Sequence, residues 1–216
     1  MPSRRLIYLD HNATTPVRPE VLEAMIPYLT EHFGNPSSFH RFGQEAKKGI
    51  EEAREHVADL VGCRPSEIVF TGGGTAADNL AIQGAIRGRR GKGRHVITSS
   101  IEHSAVLNTC RWAEREGCAV TYLPVDSYGR VDPDGVRSAI RPDTLLITIG
   151  HANHEVGTIQ PIEEIGELAA GHGIPFHTDA VQSLGKVEVN VGALRVDLMS
   201  LSAHKIYGPK GVEPSS

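Results

Sequence analysis

The chain has only three cysteines among its 216 residues, and they stand far apart at positions 63, 110 and 118. Cysteines so few and so widely spaced exclude a disulfide framework or a cysteine-based metal site. They are typical of reduced thiols in a cytoplasm. Acidic residues outnumber basic ones 26 to 22, so no excess of positive charge predicts binding to nucleic acid or to an anionic membrane. No apolar run approaches a bilayer span, and the first five residues lack the apolar core of a signal peptide. We therefore expect a cytoplasmic protein without a membrane segment.

The bulk composition is that of a soluble globular protein, with 39% hydrophobic and 22% charged residues, and the length is enough for one large core. Histidine is abundant, with eleven copies. His151 and His154 have helical spacing, but Gly150, Asn153 and Gly157 predict a turn there. Because no cysteine or histidine cluster has ligand spacing, we predict no metal site.

From Glu67 onward, apolar strand-like runs alternate with helix-like segments. This alternation predicts an α/β fold with a mostly parallel sheet and helices on both faces. Before it, the sequence predicts a short strand at 6–9 and helices at about 18–32 and 43–61. Ligands in such folds bind beyond the carboxyl ends of the strands. Five side chains follow directly after predicted strands: Thr75, His103, His154, Asp179 and Lys205.

Lys205 closely follows a mostly apolar run, 198–201, which predicts a buried strand. On an extended backbone, Ser202 and His204 share one face, where they can hold an anion, and Lys205 takes the other. Two interpretations of the lysine stand open. Its ammonium group extends along the surface to reach water, or it is a Schiff-base lysine activated by burial and a nearby cation.

A second apolar strand ends in Asp179, with Gln182 three residues later. A carboxylate at that position can keep a pyridine nitrogen protonated and so make the ring an electron sink. Together with the lysine and an anion-holding pair, these groups favour a pyridoxal phosphate (PLP) site.

The stretch 71–75, with three glycines, turns from a predicted strand into a helix. Its backbone N–H groups suit a phosphate, with Gly74 and the Thr75 hydroxyl at the helix start. The same glycines, with Ala77 and the downstream Glu102, also fit a dinucleotide fingerprint and hence a nicotinamide-dependent enzyme. That alternative gives no function to Asp179 or Lys205. His103, at a strand-to-helix junction, suits a helix cap or an active-site imidazole.

The sequence resembles the cysteine desulfurases, in the class V aminotransferase group of fold-type I PLP enzymes. The resemblance covers almost the whole chain and rests on ordered motifs: Tyr8-Leu-Asp-His-Asn-Ala-Thr-Thr-Pro16, Gly34-Asn-Pro-Ser-Ser-Phe-His40, Phe70-Thr-Gly-Gly-Gly-Thr75, Ile101-Glu-His-Ser104, Glu155-Val-Gly157, Asp179-Ala-Val-Gln182 and Ser202-Ala-His-Lys-Ile-Tyr-Gly-Pro-Lys-Gly211.

The resemblance implies a role for each candidate residue. Lys205 holds PLP and moves protons, and His103 stacks on the pyridine ring and is a second catalytic candidate. Asp179 binds the ring nitrogen, while Gln182 and His154 bond the phenolic oxygen. The phosphate is expected on Gly74, Thr75, Ser202 and His204.

Two departures from the family stand out. His154 replaces a second asparagine, which puts cofactor geometry and pH response in question. The chain also ends soon after the lysine motif, before the family's nucleophilic cysteine, its carboxylate-binding arginine and most of its small domain. We therefore expect a segment 1–15 beside the active site and a PLP-binding large domain, 16–216, with the small domain largely absent.

The implied activity converts L-cysteine to L-alanine and passes sulfur as a persulfide to an acceptor or scaffold protein for iron–sulfur or thio-cofactor assembly. A homodimer is expected, and the 216-residue chain alone is expected to be inactive. Two alternatives remain: a non-catalytic PLP-binding remnant, and a selenocysteine lyase or other class V enzyme.

Overall fold

The computed structural model describes residues 6–89, 91 and 93–211, together with the backbone of residues 213–215. Residues 1–5 of the predicted N-terminal segment and residues 90, 92, 212 and 216 of the predicted large domain lie outside this description.

Two helices come first, and their ends follow local signals. Helix α1 (Pro19–Thr30) begins with a proline, whose fixed φ suits the first helical position. Helix α2 (Arg41–Val61) is capped by His40, whose ring accepts from the Gly43 N–H. It ends at Gly62, whose φ of 75° is easily adopted only by glycine.

Strands and helices alternate through the rest of the chain, as predicted. In order they are β1 (Val69–Thr71), α3 (Gly74–Gly88), β2 (His95–Ser99), α4 (Ser104–Arg115), β3 (Ala119–Leu123), α5 (Pro133–Ala139), β4 (Thr144–Thr148), α6 (Ile162–Gly171), β5 (Phe176–Asp179), α7 (Val191–Leu194), β6 (Leu198–Ser200) and β7 (Glu213–Ser215). Short 3-10 turns lie at Pro65–Glu67 and Ala203–Lys205.

The strands form one sheet in the order β1-β7-β6-β5-β4-β2-β3. The five strands from β6 to β3 are parallel, whereas β7 is antiparallel to both of its neighbours. Because β7 is antiparallel to both β6 and β1, strand β1 runs in the same direction as the five parallel strands. All six of these strands therefore point their carboxyl ends to one edge, which is where the site lies.

Each central strand is covered on both faces. Val96 and Leu146 pack with α3 and α4 on one side, and their chain neighbours Ile97 and Ile147 pack with α5 and α6 on the other. Successive side chains of a strand point to opposite faces, so two cores follow from one continuous apolar run. The predicted mostly parallel sheet with helices on both faces is confirmed.

Some local predictions were wrong. Residues 6–9 form no strand: Leu6 and Leu9 are 94% and 88% exposed, and their backbone is irregular. Apolar content alone suggested a strand, but no neighbouring strand pairs with these residues in the described chain. The stretch after β6 is also not extended, because Ala203–Lys205 closes a 3-10 turn. Helix α7 and strand β7 were not predicted.

Candidate active site

A cavity of about 1020 Å³ opens at the carboxyl edge of the sheet. All nine residues predicted for catalysis or cofactor binding line it, although they lie at or after the carboxyl ends of five different strands. They are Gly74, Thr75, His103, His154, Asp179, Gln182, Ser202, His204 and Lys205. The structure thus brings the predicted set together, while the role of each residue remains a prediction.

Lys205 reaches the cavity from the 3-10 turn Ala203–Lys205. Its Nζ donates to the main-chain carbonyl of Ala13 at 3.0 Å and also to that of Asn12. The turn changes the predicted geometry of its neighbours, since Ser202 and His204 no longer alternate with Lys205 across a strand. His204 Nδ1 instead lies 3.1 Å from the Thr14 hydroxyl.

The N-terminal segment is joined to the lysine turn by several hydrogen bonds. The Thr15 N–H and hydroxyl both donate to the His204 carbonyl, at 3.0 and 2.9 Å. The Thr15 hydroxyl also accepts from the Tyr207 N–H at 2.7 Å. Residues near 12–15 thereby form one wall of the site, although they are about 190 positions away in sequence.

Asp179 ends β5 at the floor of the cavity. Its Oδ1 accepts from the Val181 N–H at 2.9 Å. Burial raises the pKa of this carboxyl, against the opposing effects of that hydrogen bond and of the nearby His154 and Lys205. A cationic partner in the cavity would offset the burial and favour the carboxylate.

Gln182 shares a hydrogen-bond acceptor, the Asn12 carbonyl, with Lys205. Its Nε2 donates to the Asn12 carbonyl at 3.0 Å, and its Oε1 accepts from Lys186 at 2.8 Å. The Asn12 carbonyl therefore receives donors from both Gln182 and Lys205. The Gln182 amide nitrogen has two N–H donors, so one can bind a ligand oxygen while the other keeps the Asn12 contact.

His103 is both a helix cap and a cavity residue, so the two interpretations are compatible. Its Nδ1 accepts from the Ala105 N–H at 3.2 Å at the start of α4. Because Nδ1 accepts, the neutral ring carries its proton on Nε2. Burial and the charge of Lys205 lower the pKa of His103.

His154 stands opposite His103 in the loop after β4. Burial lowers its pKa, with His103 and Lys205 adding to the effect and the carboxylates of Glu155 and Asp179 opposing it. Its main-chain carbonyl accepts from the Asn12 amide at 3.5 Å. The residue lines the cavity next to His103.

The glycine-rich loop leads into the start of helix α3. Gly73, at the N-cap of the 15-residue helix α3, has a φ of 151°, and no side chain of the described residues caps this helix start. A Cβ added at Gly72 would meet no described atom within 4 Å, so the loop is open on that side. Backbone N–H groups and the positive end of the helix dipole favour an anion here.

Sequence reasoning gave no role to several lining residues, among them Asn12, Asp78 and Lys210. Asp78 is buried in α3, with Oδ1 3.7 Å from His177 Nε2. Asp78, His103 and Asp179 also bring one potential ligand atom each within 4.8 Å of one another. No motif signals this grouping, because its members come from three different elements.

Glu102, the acid of the dinucleotide alternative, makes internal hydrogen bonds. Its two carboxylate oxygens accept from the Ser99 hydroxyl and the Gly150 N–H, at 2.5 and 2.9 Å. The acid of the proposed fingerprint is therefore engaged inside the protein.

The chain belongs to the class V aminotransferase family, whose model, Aminotransferase class-V, matches residues 7–213. Members of this family that are cysteine desulfurases use PLP. The predicted resemblance is confirmed by curated relatives. The chain is 58% identical over 207 residues to the cysteine desulfurase IscS of Methanosarcina thermophila, covering 96% of this chain and 51% of that protein. It is 56% identical over 209 residues to that of Dictyoglomus turgidum, covering 97% of this chain and 53% of that protein.

Solved structures agree with this assignment. A structure described as SspA in complex with cysteine superposes with a TM-score of 0.94 at 49% identity, covering 97% of this chain and 60% of that one. The apo cysteine desulfurase of Thermococcus onnurineus NA1 gives a TM-score of 0.90 at 32% identity, covering 97% and 53% respectively. The chain spans about half the length of the curated relatives it matches. Among the described residues, no helix is both long and apolar enough to span a bilayer.

Proposed function

We propose that the protein is a PLP-dependent cysteine desulfurase, and that this chain is its cofactor-binding large domain, with residues 1–15 forming a segment beside the active site. The observation that carries the proposal is the convergence of the nine predicted residues in one cavity. The family membership and the identity to cysteine desulfurases support the same activity.

The donor set of the cavity fits PLP. The uncapped start of α3 suits the phosphate, a partly buried carboxylate suits a protonated ring nitrogen, and the Lys205 amine lines the same cavity. The open space beside Gly72 leaves room for the phosphate.

Each residue then has a role towards the cofactor. Lys205 would attach it and move protons at the substrate carbon, Asp179 would hold the ring-nitrogen proton, and His103 would stack on the ring. Gln182 and His154 would bond the phenolic oxygen, and the phosphate would lie on Gly74, Thr75, Ser202 and His204. When bound, PLP supplies an electron sink. The protein contributes the orientation and the charge distribution.

The proposed substrate is L-cysteine, and the product sulfur would pass to an acceptor or scaffold protein for iron–sulfur or thio-cofactor assembly. A homodimer in the cytoplasm is part of the same proposal. Selenocysteine as the substrate remains the alternative within the class V group.

A second candidate, PLP binding without turnover, is favoured for the 216-residue chain by the positions of its thiols. None of Cys63, Cys110 and Cys118 lines the cavity formed by the described residues. Burial raises the pKa of Cys110 to about 12, and burial and Glu67 raise that of Cys63, so neither is an activated thiolate. Transfer of sulfur by covalent catalysis needs such a nucleophile.

Two measurements test these proposals. PLP added to the purified chain should give a visible absorption band that borohydride bleaches, and L-cysteine with a reductant should then yield no sustained alanine. Absence of the band would overturn the PLP proposal and return the nicotinamide alternative to consideration. Sustained alanine that disappears in Lys205→Ala would instead show that one of the three thiols serves, and would overturn the non-catalytic candidate.

A further inference from the structure

The carboxylate of Glu102 lies between two loops of the site. The residue is 8% exposed and lines the cavity, directly before His103 in the loop after β2. Its Oε1 accepts from the Ser99 hydroxyl at the end of β2, at 2.5 Å. Its Oε2 accepts from the N–H of Gly150 at 2.9 Å, where the loop that carries His154 begins. One side chain therefore holds both histidine loops.

Gly150 packs so closely against the Glu102 carboxylate that a side chain at position 150 would meet it. A Cβ added to Gly150 would lie 2.9 Å from Glu102 Oε2, closer than real Cβ contacts. A second bond supports the first, because the Asn153 amide donates to the Ile101 carbonyl at 3.0 Å. The same loop is fixed to the next strand by the His151 N–H, which donates to the Asp179 carbonyl at 2.9 Å.

We propose that Glu102 is a positioning residue that ties the His103 loop to the His154 loop and so sets the distance between the two imidazoles in the cavity. The rings lie 5.1 Å apart with an interplanar angle of 76°. The inference deepens the proposed function and rests on it for the nature of the ligand, but the tie between the loops is a property of the protein alone.

The hydrogen bonds that join Glu102 to Ser99 and Gly150 can persist when Glu102 is protonated. The Ser99 hydroxyl both donates and accepts, so a protonated Glu102 can donate to Ser99 and still accept from Gly150. Burial raises the pKa of Glu102 to about 7, and the neighbouring Asp179 adds to the rise while the bonds from Ser99 and Gly150 oppose it. Other titratable groups beside it are the Cys110 thiol in α4 and His103 in its own loop.

The test uses the purified protein without PLP and measures two quantities by NMR: hydrogen exchange of the residue-150 amide and the NOE between the rings of His103 and His154. Glu102→Ala should speed the exchange roughly 10- to 100-fold, as expected for a lost bond to a charged acceptor, and should remove the NOE. Gly150→Ala should do the same by displacing the carboxylate, and the double variant should add little to either. Glu102→Gln, which keeps an acceptor and a donor, should retain the NOE.

Glu155→Ala is the matched control, because it removes an exposed carboxylate beside His154 without touching the tie. It should leave both measurements unchanged. An NOE that persists in Glu102→Ala, or in Gly150→Ala and Ser99→Ala if the first variant does not fold, overturns the proposal. Since no cofactor is present, that result would leave the PLP proposal intact, and a failure to bind PLP would equally leave the NOE result standing.

Discussion

The rings of His103 and His154 meet edge to face, 5.1 Å apart, although they follow different strands. Burial lowers the pKa of both imidazoles, and the positive charge of Lys205 also lowers each of them. The lowered pKa favours the neutral form of both imidazoles at neutral pH, and Lys205 is a cation near Asp179. The arrangement allows the rings to pack and to donate hydrogen bonds without adding positive charge.

His154 is expected to donate to the cofactor's phenolic oxygen in place of asparagine. His154→Asn should therefore preserve the absorption titration of the bound cofactor to within a few tenths of a pH unit, whereas His154→Ala should shift it by about one unit, the equivalent of a hydrogen bond of about 1.4 kcal/mol. The measurement is a pH titration of the visible band. An unchanged midpoint in His154→Ala would mean that the residue only fills its loop.

Lys205 is expected to carry the cofactor. Lys205→Ala should lose the borohydride-trapped label completely while its circular dichroism stays close to that of the parent protein, because the Asn12 and Ala13 carbonyls that accept from Lys205 lie in a surface segment where water can replace the ammonium group. Peptide mapping after trapping should locate the pyridoxyl group on Lys205.

Two other lysines provide the controls for that experiment. Lys186 lies within 3.5 Å of the Asn12 side chain, and Lys210 lines the cavity. Lys186→Ala and Lys210→Ala should keep the label. A label on either of them in the parent protein would refute the assignment to Lys205.

Glu102 should make the protein less stable as the pH rises. Its folded pKa, about 7, lies above the ordinary value of 4.5, so the folded state binds the extra proton between these values. The free energy of unfolding contributed by this group therefore falls across that window and levels off above pH 7, by at most about 3 kcal/mol. Glu102→Gln, compared with the parent by urea unfolding at several pH values, should remove this fall. Parallel curves for the two proteins would contradict the prediction.

His177 should make the protein less stable as the pH falls. It bridges the Thr148 and Ser200 hydroxyls at 2.8 and 3.0 Å, and burial lowers its pKa to about 3. As a base with a depressed folded pKa, it costs stability as the pH falls from about 6.5 towards 3, by up to about 5 kcal/mol. His177→Asn should show a shallower acid dependence of unfolding than the parent. His172→Asn is a matched control, because that histidine is exposed.

The sequence by itself determined most of the order of strands and helices from Glu67 onward, though not α7 and β7, and the edge of the sheet where the candidate site lies. Apolar periodicity and the glycine, proline and cap signals are local, so they set β3 at the predicted residues and the start of α4 after His103. Where local signals were ambiguous, they failed, as at residues 6–9 and 203–205.

Only the tertiary structure decided which distant groups meet. The contact of Lys205 with the Asn12 carbonyl joins residues 193 positions apart, and the bond from Gly150 to Glu102 joins residues 48 positions apart. Neither is encoded in a short motif, because both depend on how the crossovers set neighbouring strands side by side. A buried carboxylate is satisfied by whichever N–H the fold brings within reach, and that partner is fixed by packing and desolvation across the whole sheet.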